Sequence, residues 1–180
     1  MDEPSNSAEP ARPSRRVGWW IGLISTQMVM GGLFALRAWR SDGLAPLTPN
    51  EFYAARERWR AVEPPDYDIE IVVRGSQPAT YAVQVRNGQA ETALRNGKPL
   101  NQRRTFGTWS VPGMFSTVER DVEAVQRRDQ SEADPNLPRL TLRAEFDPEF
   151  SYPARYRRIE WGSPVEVSWE VTRFEVKRPK

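Results

Sequence analysis

From Val17 to Leu36 the chain reads VGWWIGLISTQMVMGGLFAL, 20 residues without one Asp, Glu, Lys or Arg. At about 1.5 Å per residue, a helix of that length covers roughly 30 Å, the thickness of a bilayer's hydrocarbon core. The run predicts a single transmembrane helix over residues 17–38, with a disordered tail at 1–16, a linker at 39–47 and a folded domain at 48–180. Trp19, Trp20 and Trp39 stand near its ends, where amphipathic rings prefer the headgroup level, and Arg15, Arg16, Arg37 and Arg40 flank it. The polar Ser25-Thr26-Gln27 patch and four glycines weaken insertion, and the eight Val, Ile, Leu and Phe residues supply only about −2.5 to −5 kcal/mol before polar costs.

Two other readings compete. A buried core helix is rarely apolar on every face for so long. A cleaved signal peptide has a shorter apolar region and small residues at the cut, whereas Ala35-Leu36-Arg37-Ala38 lacks a clean A-x-A pattern. An uncleaved anchor is therefore preferred. Three arginines before the span against two after it bias the N-terminus weakly toward the cytoplasm. The resulting expectation is a single-pass protein of a bacterial inner membrane, with lipid bilayer as partner through Val17 to Leu36 and the C-terminal domain on the extracytoplasmic side.

Charge follows the same division. The chain carries formal +2 and a pI near 9.1, but five arginines and three acids within residues 1–40 account for the excess. Beyond Arg40 there are 21 basic and 21 acidic residues, so the basicity belongs to the membrane flank and no nucleic-acid partner is expected. The chain also has neither His nor Cys. That removes His-based acid/base catalysis, the usual His-activated nucleophiles, disulfides and Cys/His zinc sites. No cofactor and no metal site are expected, and any chemistry rests on carboxylates, Tyr, Ser/Thr, Arg or three lysines.

The domain opens on a well-marked helix. Thr48 is a natural N-cap, Pro49 takes the first helical position, Glu51 completes a capping box, and Phe52, Ala55, Trp59 and Val62 share one face until Pro64-Pro65 ends it. Alternation then replaces helical spacing: Tyr67, Ile69, Ile71 and Val73 predict one strand, Tyr81, Val83 and Val85 a second, and Gln89 to Arg95 a third. Asn87-Gly88 and Asn96-Gly97 supply hairpin turns, because a type I′ turn needs positive φ at both central residues. Lys98 to Trp109 is irregular. Ser110 can cap a second helix bearing Phe115, Val118, Val122 and Val125, followed by a loop from Arg127 to Pro138.

Three further strands are predicted: Leu140 to Phe146, Ala154 to Trp161, and Val165 onward. The patterns slip between Tyr156 and Ile159, which suggests a bulge, and between Val171 and Phe174, which suggests a bulge or a frayed end. The fold class read from this order is α+β, with two helices packed on one face of an antiparallel sheet of about five or six strands, preceded by the transmembrane helix.

The order of landmarks resembles a bacterial domain-of-unknown-function family, family 6174, found on exported and membrane-anchored proteins. The resemblance rests on Trp59, Tyr67, the hairpin Val83-Gln84-Val85-Arg86-Asn87-Gly88, Met114-Phe115, Phe146-Asp147 and Ser151-Tyr152-Pro153. This chain departs from it in lacking Cys and in having Ser151 where the family often has Gly. The resemblance implies an extracytoplasmic α+β domain and brings no activity with it.

Two clusters are candidates for chemistry. Asp147 and Glu149 with Tyr152, beside Glu145, could serve a carboxylate-dependent hydrolase of the cell envelope, if the carboxylates converge about 5–10 Å apart. The competing reading is a turn initiated by Asp147-Pro148. Arg103, Arg104, Arg155, Arg157 and Arg158 could bind an anionic ligand, with Phe106 and Trp109 adding stacking, although successive strand residues face opposite sides. Against both stands a non-enzymatic interaction or structural domain with an envelope protein as partner.

Overall fold

The computed structural model describes residues 43–130, 137–164 and 166–177. The expected span at 17–38 lies outside them. Among the described residues no helix is long and apolar enough to cross a membrane.

Helix α1 (Pro49–Val62) begins as its sequence dictates. The Thr48 N–H donates to the Glu51 carboxylate at 3.0 Å while Thr48 Oγ1 accepts from the Glu51 N–H at 3.3 Å, completing the capping box. Strands β1 (Tyr67–Gly75), β2 (Ala79–Arg86), β3 (Gln89–Arg95) and the two-residue β4 (Lys98–Pro99) follow as a meander. A 3₁₀ segment (Arg103–Trp109) then leads into α2 (Val111–Gln130), and β5 (Leu140–Phe146), β6 (Pro153–Glu160) and β7 (Glu166–Val176) complete the chain. Both Asn-Gly turns carry the required positive φ, 51° and 73° at Asn87 and Gly88 and 50° and 75° at Asn96 and Gly97.

The sheet is antiparallel, in the order β4-β3-β2-β1-β7-β6-β5. The expected five or six strands are corrected to seven, and the expected two helices to two α-helices and a 3₁₀ segment. The seventh strand arises because the Asn96-Gly97 turn folds Lys98 and Pro99 back onto Arg95 and Leu94. The stretch expected as linker is also partly engaged. Pro46 bridges Arg143, the Leu47 N–H donates to the Leu142 carbonyl at 2.9 Å, and buried Leu44 packs down, so this segment covers the outer edge of β5.

The two meanders are joined by β1 against β7, the first strand of the domain on the last. One face of the sheet is apolar. Tyr67, Ile69, Ile71, Val83, Val85, Tyr156 and Trp169 meet Phe52, Ala55 and Trp59 of α1 and Val111, Met114, Phe115, Val118 and Val122 of α2 in one core. The Val111 N–H at the start of α2 donates to the Tyr67 hydroxyl at 3.1 Å, so a core tyrosine also meets an unpaired donor of a helix end.

The phase slip in β7 is a bulge, where the register shifts between Glu70 and Ile71 and leaves Thr172 unpaired in the register. The slip in β6 is not. Register runs unbroken from Arg155 to Glu160, and the shift falls instead between Glu145 and Phe146. The apolar pattern breaks because Arg158 takes a helix-facing position and extends its head to Asp121 of α2, with N–O 3.4 Å, while Ile159 turns to the opposite face.

Candidate functional site

The acidic cluster forms a turn. Asp147 Oδ1 accepts the N–H groups of Glu149 at 3.0 Å and Phe150 at 2.7 Å, and the Asp147 and Tyr152 backbones close the loop with a 2.9 Å bond. The Asp147 carboxylate is thus engaged in holding the connection between β5 and β6. Glu149 is exposed, and Tyr152 is buried with its ring 4.6 Å from that of Phe174. Burial, then the nearby Asp147 charge, pushes the Tyr152 hydroxyl up to about 12, which leaves it protonated at neutral pH.

The arginines do not assemble as one group either. Exposed Arg103 and Arg104 lie on the 3₁₀ segment, which packs against β2, β3 and α2 at the β4 end of the sheet. Arg157 and Arg158 lie on β6, toward the other edge, and face opposite sides of the sheet. Arg158 joins a half-buried network in which the Tyr156 hydroxyl donates to Asp121 at 2.7 Å and Arg158 also reaches Glu160 at 2.7 Å. Burial raises the Asp121 carboxyl despite these partners, so the network is set by packing between α2 and β6.

No helix of the described residues covers the other face of the sheet. The alternation in register places Asp68, Glu70 and Arg74 of β1, Glu166, Glu170 and Arg173 of β7, Arg155, Arg157 and Ile159 of β6, and Thr141, Arg143 and Glu145 of β5 on it. Toward β1 its charges close into opposite-sign pairs. Asp68 meets Arg86 at 2.7 Å and Lys177 at 3.1 Å, Glu70 meets Arg173 at 3.0 Å, and Arg74 meets Glu170 at 3.2 Å. Burial pushes the Asp68 carboxyl up, but Arg86 and Lys177 together hold it below the usual range.

The β5–β6 end is built differently. Arg143 and Arg157 stand directly opposite each other across the two strands, an arrangement of like charges that disfavours pairing. Arg143 donates to the Leu44 carbonyl at 3.0 Å and Arg157 lies 2.8 Å from Glu166. Beside them Trp161 is 63% exposed, yet its indole is fixed: Nε1–H donates to Thr141 Oγ1 at 2.8 Å and its backbone N–H to the Arg139 carbonyl at 2.9 Å. Sequence reasoning singled out Arg157 and missed Arg143 and Trp161. Their relation is one of cross-strand register, which no local spacing in the sequence carries.

A cleft of about 150 Å³ lies between the helices, lined by Arg56, Trp59, Arg60 and Glu63 of α1 and Phe115 and Glu119 of α2. Arg56 is paired with Glu119 and Arg60 with Glu57. The charged lining residues sum to zero and give the cleft no preference of sign. Among the described residues no group of three or more His, Cys, Asp or Glu could hold a metal ion. Compared with known proteins, the chain matches no family model and no curated protein.

Proposed function

We propose that this chain is a non-enzymatic interaction domain held at a bacterial inner membrane by Val17 to Leu36, with the domain on the extracytoplasmic side and its uncovered sheet face receiving an envelope protein. The observation that carries the reading is the asymmetry of the sheet. One face is sealed by two helices over a continuous aromatic and aliphatic core, and the other presents charged side chains of β1, β5, β6 and β7 at positions set by strand register. Charges laid out by strand register have set positions, which favours selectivity and register in a partner more than raw affinity.

Ser151, in the turn before β6, adopts a positive φ. Its φ of 61° lies in the left-handed region that glycine adopts most readily. The hydrolase reading is left without support, since the Asp147 carboxylate is taken by two backbone N–H groups and Glu149 is exposed.

The test is photo-crosslinking in intact membranes from single positions on each face. Gln84 and Thr80 lie exposed on the uncovered face, and Glu123 lies exposed on α2. A recurrent envelope protein captured from Gln84 and Thr80 and absent from Glu123 is expected. No face-dependent capture, together with turnover of a small substrate by the purified chain, overturns the proposal.

A further inference from the structure

The opposed arginines of β5 and β6 have a physical cost that the fold leaves standing. Arg143 and Arg157 are cross-strand neighbours on a solvent-facing surface, where most residue types are tolerated. Only one of the two has an acidic partner among the ion pairs described, Glu166 beside Arg157. Exposed Arg139 adds a third cation just before β5, so this end of the face carries a net positive charge in a domain that is balanced as a whole. The neighbouring Trp161 presents an apolar ring to solvent, fixed through Thr141. Ile159, opposite Thr141, extends the apolar surface.

We infer that this patch docks on an anionic lipid surface, with Arg139, Arg143 and Arg157 meeting headgroup phosphates and Trp161 entering the interfacial layer. Two arguments choose lipid over other anions. The patch pairs cations with an exposed indole, the combination suited to a headgroup region that is charged outside and apolar beneath. The described chain also begins beside it, with the Leu44 carbonyl bonded to Arg143. Seven residues separate Leu36 from Leu44, so the two lie at most about 29 Å apart when that stretch is extended. The inference rests on the membrane-held reading proposed above. It adds that the domain lies down on the bilayer by its β5 edge and leaves the β1–β4 part of the face turned toward a partner.

The chain has no cysteine, so one introduced thiol labels one place. Full-length protein carrying Ile159→Cys, labelled with a polarity-sensitive fluorophore, is reconstituted into phosphatidylcholine vesicles and into vesicles with about a third phosphatidylglycerol; Gln84→Cys serves as the distal control. The expected result is a blue shift at position 159 in the anionic vesicles alone, none at position 84, and loss of the shift in high salt. Adding Arg143→Gln and Arg157→Gln should lower the docked-to-undocked ratio roughly fivefold per arginine.

Chain that floats with the vesicles but gives the same emission at position 159 in both lipids overturns this inference and leaves the membrane-held reading standing. Chain that does not float with either lipid overturns both. A response at position 159 to duplex DNA or free inorganic phosphate, with none to anionic vesicles, overturns the lipid assignment.

Discussion

The two ends of the uncovered face use the same residue types to opposite effect. Near β1, Asp68, Glu70 and Arg74 each find an opposite charge on β2, on β7 or just beyond β7 at Lys177, and exposed Glu175 is drawn down to about 2 by hydrogen bonds from Arg173 and Lys177. Near β5, arginine faces arginine and an indole stands in solvent. A self-contained surface has its charges answered within it, as the first region does. The second region pairs Arg155 with Glu145 and Arg157 with Glu166 and still keeps an excess of positive charge. On the proposed docking, that difference separates a surface shaped mainly by folding from one shaped mainly by contact.

Both regions depend on one seam, the pairing of β1 with β7. The largest expected effect comes from Trp169 there, 2% exposed, packed on Tyr156 at 4.4 Å and donating to the Pro153 carbonyl at 3.3 Å. Trp169→Ala should cost about 3–5 kcal/mol. In chemical denaturation the two halves should still unfold in a single transition. Separate transitions for the two meanders would show that the seam does not couple them.

Gly75 closes the same seam. Its φ is 117°, and a Cβ built there would lie 2.0 Å from the Glu166 carbonyl oxygen. Gly75→Ala is expected to destabilise by about 3 kcal/mol, because it adds a clash with backbone to a strained φ. Gly162→Ala is the matched comparison: its φ of 81° brings a similar strain but its Cβ meets nothing within 4 Å. The difference between the two variants, read from melting temperatures, isolates the clash at the seam.

How far the sequence disclosed this arrangement depended on the range of each interaction. The capping box at Thr48 and Glu51 and the two Asn-Gly hairpins were legible because each is decided within four residues. The partnership of β1 with β7 was not, since strand order across some hundred residues leaves no local pattern. The sheet was read as about five or six strands and has seven, in part for a related reason: a two-residue strand such as Lys98–Pro99 has no period to detect. Arg158 disguised the alternation of β6 by occupying a helix-facing position with a charged head. At the candidate site, Asp147-Pro148 was readable as a turn, and the structure gives the carboxylate that task. The juxtaposition of Arg143 with Arg157 needed the register, and so stayed hidden in a sequence where the two are fourteen residues apart.

The paired region should answer to pH. Asp68 is held below its ordinary value of 3.8, so its contribution is fully present above that value and is lost as pH falls through the lowered one. Asp121, on the helix-covered side, is raised by burial and behaves oppositely: the folded state binds more protons, and stability falls as pH rises from 3.8 through the raised value. Asp68→Asn should therefore cost about 1 kcal/mol at neutral pH and flatten the acid limb below pH 3.8. Asp121→Asn should flatten the dependence just above it. Urea midpoints taken across the acid range test both, and an unchanged acid limb in Asp68→Asn would detach the ion pairs of the first region from its stability.

The smallest effect is expected where the charges conflict. Arg143 gives up one hydrogen bond to the Leu44 carbonyl when replaced, worth about 1 kcal/mol, and in exchange relieves repulsion from Arg157, worth a few tenths to about 1 kcal/mol. Arg143→Thr, a residue with good strand propensity, should thus leave stability within about 0.5 kcal/mol of the parent. The relief of repulsion should be larger at low ionic strength, where surface charges are least screened. A loss above about 2 kcal/mol at all salt concentrations would mean that Arg143 is held in place by the fold, and the contrast between the two ends of the face would then be one of packing and not of charge left for a partner.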